Sequence, residues 1–205
     1  LRTQNGPHKV QMGWASGARV VDASQGGTFT VSSLALASPA SPQVIRVRPN
    51  TGDPYYLSLR TGVGYDAGMP SSSTYLNKLN IHRWSGSGNT RYIGAIGDGQ
   101  SYNDAASGVS FQLVSRTADS ATFSVTTTCV TQAPTATISP SSQGAGSLLP
   151  ATRAYTVTVT NRDSAACASG TFALASTLPS GWSGGFATPT LTLAPGASGT
   201  ATLNV

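Results

Sequence analysis

Apolar and polar residues alternate along most of this chain, and the alternation has the two-residue period of a strand rather than the period of a helix. In 43–48, Ile45 and Val47 fall on one face while Arg46 and Arg48 fall on the other. In 55–60, Tyr55, Leu57 and Leu59 oppose Tyr56, Ser58 and Arg60. Further strands are expected at 28–34, 78–84, 91–96, 109–116 and 121–127, each bounded by Gly, Pro, Asn or Asp. Strands that are polar on one side fit an antiparallel sandwich with one face of the sheet in water. The single helix signal is at 6–14, where Pro7 suits a first turn.

The pattern continues past residue 128 on a changed background. Aromatic residues thin out, and Thr, Ala, Ser and Pro dominate. Strands are expected at 135–139, 154–160, 171–176, 190–193 and 200–205. Of these, 154–160 is the clearest, with Tyr155, Val157 and Val159 inward and three threonines outward. About seventy residues with strands at this spacing suggest an immunoglobulin-like sandwich. The fold class expected is therefore all-β, with two β-sandwich domains in tandem and the second immunoglobulin-like. The division is 15–128 as the first sandwich, 129–134 as a linker and 135–205 as the second sandwich, with 1–14 ahead of them.

Composition narrows the function. Only 9% of the 205 residues are charged, and the net charge of +5 comes from scarce acids rather than from clustered bases. The scattered arginines form no stripe that could displace counterions from a phosphate backbone, so a nucleic-acid partner is not expected. No run of eighteen apolar residues exists to span a membrane. The lone pair Cys129 and Cys167 suggests one disulfide and an oxidising compartment; two buried thiols or a metal pair are the alternatives.

Chemistry-bearing residues are few. The chain contains no glutamate, so His-Glu-x-x-His cannot be written in it, and its two histidines, His8 and His82, lie far apart. His8 is read as a packing or hydrogen-bonding residue and His82 as a surface one. No nucleophile elbow with a histidine partner is visible. The segment from Asp98 to Asp104 concentrates oxygen ligands, and Asp98, Asn103 and Asp104 are candidate calcium ligands, although the same residues are ordinary in turns. Tyr56, Tyr65, Tyr75, Trp84, Tyr92 and Tyr102 gather in the middle of the first domain. Exposed rings beside polar groups suit sugar or peptide binding. Trp84, Tyr56, Arg60 and His82 are the candidate ligand-binding residues, with Trp84 placed on a polar, exposed face. Trp182 is expected to cap the core of the second sandwich.

Several segments carry a resemblance. Asn5-Gly-Pro-His-Lys with Met12-Gly-Trp14, Tyr55-Tyr-Leu-Ser-Leu-Arg60, Val63-Gly-Tyr-Asp66, Leu79-Asn-Ile-His-Arg83 and Asp98-Gly-Gln-Ser-Tyr102 resemble, in order and spacing, the region after the zinc site of gametolysin-type metallopeptidases. The resemblance implies a secreted parent whose zinc-binding catalytic domain precedes this chain and is its partner, with residues 1–14 as the tail of that domain. It carries no catalytic residue into this chain and no cofactor of its own. Residues 134–205 resemble immunoglobulin-like modules of the NEW3 type found at the ends of secreted hydrolases. The carriers are Tyr155-Thr-Val-Thr-Val-Thr-Asn161 with Asp163-Ser-Ala-Ala-Cys167, Leu178-Pro-Ser-Gly-Trp182 and Leu193-Ala-Pro-Gly196. In such modules the cysteine before the domain pairs with the one after the Asp-Ser motif, which implies a bond between Cys129 and Cys167. The expected function is a non-catalytic accessory region of a secreted zinc endopeptidase, supporting its catalytic domain or holding it at an extracellular protein substrate. A module binding glycan or cell-envelope polymer is the alternative.

Overall fold

The computed structural model describes residues 4–144 and 152–205. The chain divides into two compact units, Leu1–Thr128 and Cys129–Val205, and its regular elements are nearly all strands, as the alternation predicts.

The first unit holds two sheets. One contains β1 (Val20–Asp22), β3 (Val44–Val47), β4 (Tyr55–Arg60), β5 (Lys78–Arg83) and β6 (Arg91–Ile96), in that order across the sheet. The other runs β2 (Gly27–Ser32), β9 (Ser120–Thr127), β8 (Val109–Arg116), β7 (Ser101–Asp104). One hydrophobic core lies between them. Ile45, Leu57, Leu59, Leu79 and Ile81 from the first sheet meet Val31, Phe111, Leu113, Phe123 and Val125 from the second. These side chains sit at alternate positions, so each strand sends one of its two faces inward.

The expected half-exposed strand is corrected at β4, whose first five residues are buried on both faces. The cover comes from outside the sheet. α1 (Gly6–Gln11) lies against β4 and β5. A second apolar cluster of Ala15, Leu34, Val44, Tyr56 and Trp84 closes the same side, with Val10 and Val20 packed on it. Asn5 caps α1 by accepting the His8 backbone N–H at 2.9 Å. The helix is shorter than the predicted 6–14, because Gly13 turns left-handed at φ 73° and bonds back to Val10. The Lys9 ammonium donates to the Leu34 carbonyl, tying the helix to the loop after β2. That loop also approaches Gly64 so closely that a Cβ there would run into the Ala35 carbonyl.

The second unit pairs a sheet of β10 (Thr135–Ser139), β11 (Ala154–Thr160), β15 (Ser198–Asn204) and β13 (Gly185–Phe186) with a two-stranded sheet of β12 (Gly170–Ala173) and β14 (Thr190–Leu193). Val157, Val159 and Leu203 from the larger sheet share a core with Leu193, with Phe172 and Leu191 of the two-stranded sheet packed on it. The threonines of β11 alternate outward as read from the sequence. Cys129 and Cys167 are joined by a disulfide. Beside it, Val130 N–H donates to the Ser164 hydroxyl at 2.9 Å and Gln132 N–H to the Asp163 carboxylate at 2.8 Å. Residues 129–132 are thus bound to the turn after β11. Trp182 is not a cap on this core: it is 59% exposed.

Candidate functional site

The outer face of the five-stranded sheet carries a pocket of about 330 Å³, enclosed by β4, β5, β6 and the segment leading into α1. Pairing sets its floor. Ser58 stands opposite Asn80 across the β4–β5 ladder, and Tyr56 stands opposite His82. Side chains two residues apart on a strand share a face, so Ser58, Asn80, His82 and Arg60 form one polar array beneath the helix. A Cβ on Gly6 would lie 3.0 Å from Ser58 Oγ, which fixes that hydroxyl as pointing toward α1.

A β-bulge builds one wall. From Leu79 to Ile81 the β5–β6 register is regular, with Ile81 opposite Gly94. The next pair is His82 opposite Tyr92, so one residue of β6 is skipped. Without that shift His82 would face Ile93, and the Tyr92 ring would belong to the other side of the sheet. The bulge sends Ile93 to the core and sets Tyr92 beside His82, with ring centroids 5.4 Å apart. Tyr75 meets Tyr92 edge to face at 5.0 Å. Both tyrosines remain about two-fifths exposed, at 39% and 40%.

The other sides are held by hydrogen bonds. Asn5 Nδ2 donates to the Thr90 hydroxyl at 3.0 Å, joining the helix cap to the loop that leads into β6. Arg60 clasps the fully buried Asp66 through Nε and Nη2, each at 3.0 Å. Asn80 Nδ2 donates to the carbonyls of Tyr75 and Lys78, both at 2.9 Å, so its Oδ1 points away from them. Three buried floor atoms make no hydrogen bond to the protein: Ser58 Oγ, Asn80 Oδ1 and His82 Nδ1. All three are closed to solvent, so they lie beneath the surface of the pocket rather than on it, and being unpaired they cost the fold free energy. Burial, then the nearby His8 and Arg60, push His82 down to about 4, so the ring is neutral at physiological pH.

Of the residues singled out from the sequence, the structure brings Arg60 and His82 to this pocket, along with Tyr75 and Tyr92. It does not put Trp84 and Tyr56 there. Trp84 was expected on an exposed face and is 6% exposed; Tyr56 packs against it with centroids 5.6 Å apart, inside the cluster under α1. His82 is likewise buried rather than a surface residue, because α1 and Trp84's neighbours cover the strand face that alternation alone assigns to water. Ser58, Asn80, Asn5 and Thr90 escaped the sequence reading, and His8, read there as packing, lines the pocket.

The loop proposed for calcium is otherwise engaged. Asp98 pairs with Arg116 at 3.0 Å. At the far end of β7, Asp104 accepts from the Tyr55 hydroxyl and from the Ser107 N–H, which hold its carboxyl below the usual range. Asn103 stands on β7 opposite Ser110. Among the described residues, no three His, Cys, Asp or Glu side chains are grouped to hold a metal ion. No helix among them is long and apolar enough to cross a membrane.

Comparison with protein-family models, with curated proteins and with solved structures finds no match to this chain.

Proposed function

We propose that this chain is the non-catalytic accessory region of a secreted zinc metallopeptidase of the gametolysin type, with the first sandwich buttressing a catalytic domain that precedes it. The observation that carries the reading is the seat of α1. Within the segment from Asn5 to Trp14, which resembles the closing piece of such a peptidase domain, α1 lies on β4 and β5. It is fastened there by the Asn5–Thr90 bond, the Lys9–Leu34 bond and the packing of Val10. A preceding domain anchored through this helix would inherit the stiffness of the sheet below it. The disulfide supports an oxidising, extracellular setting. The second unit, read as an immunoglobulin-like module, spaces the enzyme from its target; its two-layer core and its disulfide support that reading.

The test is the reading frame upstream of residue 1 and the protein it encodes. A His-Glu-x-x-His stretch is expected there, and the longer protein should cleave a casein substrate in a zinc-dependent manner. In that protein Val10→Asp should lower the temperature of thermal inactivation. An upstream frame without a zinc-binding motif overturns the proposal, as does zinc-dependent hydrolysis by residues 1–205 alone.

A further inference from the structure

We propose that α1 is an acid-released latch: a proton taken up by His82 holds the helix off β4 and β5 while the two sheets beneath it stay folded. The inference stands on the packing around His82 and does not depend on the peptidase reading.

The docked helix admits His82 only as a neutral ring. Its Nδ1 is closed to solvent and bonds to no protein group, so a proton there would be a buried, charged donor without an acceptor. The groups packed around the ring offer no counter-charge. His8 and Lys9 come from α1, Tyr56 and Arg60 from β4, and Tyr92 from β6, with Tyr75 behind it. On its own strand Lys78 shares the face of His82. The chain has seven aspartates and no glutamate. Asp66, the one that Arg60 brings to this cluster, is fully buried and clasped by that guanidinium. Asp22, Asp98 and Asp104 pair with other arginines. The same surroundings hold the ring near pKa 4, against 6.5 for a free side chain: burial first, then His8 and Arg60.

The helix is the part of the cover that can open with least disruption. The main core lies between the two sheets, whereas α1 packs outside them, beside the separate cluster of Tyr56 and Trp84. Lifting it gives up the burial of Pro7 and part of Val10, the bond from Asn5 to Thr90 and the bond from Lys9 to the Leu34 carbonyl. The core between the sheets is untouched. Six residues are too few to persist as an isolated helix, so the lifted segment melts. Openings of this kind lie far below global unfolding in free energy. Each one lets water reach His82, and in acid the ring takes a proton that the returning helix cannot cover.

The experiment is amide hydrogen exchange of the whole chain by NMR at pH 7.5 and pH 5, expressed as protection factors so that the intrinsic pH dependence of exchange divides out. Lys9 and Met12, whose N–H groups bond to the carbonyls of Asn5 and His8, report on α1. The amides of β8 and β9 report on the sandwich. Protection of Lys9 and Met12 should lie well below that of β8 and β9 at both pH values, because the helix opens by itself. It should fall roughly thirtyfold from pH 7.5 to pH 5, the factor by which the exposed ring outbinds the docked one for a proton. In His82→Gln, which keeps a neutral polar side chain, the protection of Lys9 and Met12 should be the same at both pH values. The proposal is overturned if the protection of these two amides in the wild type changes less than threefold. It is overturned equally if that protection equals that of β8 and β9, since the helix then opens only with the whole unit, or if the fall persists in His82→Gln. The wild-type comparison decides by itself where the variant is too unstable to measure.

Discussion

Acidification should loosen the first unit through one residue, His82. In the folded chain its ring is 6% exposed, and burial, His8 and Arg60 hold it near pKa 4, against 6.5 for a free side chain. Above pH 6.5 both folded and unfolded chains carry it neutral, and it contributes no pH dependence. As the pH falls below 6.5 the unfolded chain takes up a proton that the folded chain refuses, so stability declines until about pH 4, where the folded ring also protonates. The loss should reach about 2 kcal/mol by pH 5 and roughly 3 kcal/mol at the end of the window. The carboxylates with resolved shifts lie outside it. Asp22 and Asp104 are held below the usual range, so the stability they contribute is lost at lower pH. The assay is urea unfolding followed by tryptophan fluorescence between pH 7.5 and pH 4.5. Trp84 is the buried indole of the first unit, while Trp14 and Trp182 are more than half exposed, so the blue-shifted emission reports on the sheet around His82. His82→Gln should flatten the pH slope. The reasoning fails if the wild-type slope over this window is no steeper than the variant's, or if it survives in His82→Gln and vanishes in His8→Asn.

Three further outcomes follow from contacts already described. Trp84→Ala should lower the stability of the first unit by about 3–5 kcal/mol in the same urea assay followed by circular dichroism, because it empties the cluster shared with Tyr56 rather than a binding surface. Arg60→Met takes the guanidinium from a fully buried Asp66 and should destabilise the first unit by about 3–5 kcal/mol, read from the shift in denaturation midpoint. Replacing Cys129 and Cys167 together by alanine releases a bridge spanning 38 residues and should cost the second unit about 4 kcal/mol. In calorimetry the transition of the second unit should fall while that of the first stays in place, since both cysteines lie beyond Thr128.

Most strands were legible, the short β1, β7 and β13 excepted, and the pocket was not; the difference has a physical cause. A strand's inward face is written in its own sequence: Leu57, Leu59, Leu79 and Ile81 alternate as a core face must, and they enter one core. The outward face of the same strands holds Ser58, Arg60, Asn80 and His82, a set that local pattern assigns to water. What buries them is α1, about fifty residues upstream of β4 in the chain and placed by contacts of Asn5 and Lys9 that no periodicity encodes. The same cover turned Trp84 from a candidate binding residue into a core residue. Tyr92 was hidden for a second reason. Alternation through 91–96 puts it on a definite side only if the register is unbroken, and the bulge beside His82 breaks it. The one local trace of the site is the excess of polar groups able to bond on two adjacent strands at matched positions, Ser58 against Asn80 and Tyr56 against His82. On an open sheet that arrangement is unremarkable, because water satisfies it; under a helix it becomes a set of buried acceptors in want of a donor. Polar residues at matched positions of paired strands therefore become informative once something elsewhere in the chain is found to cover them.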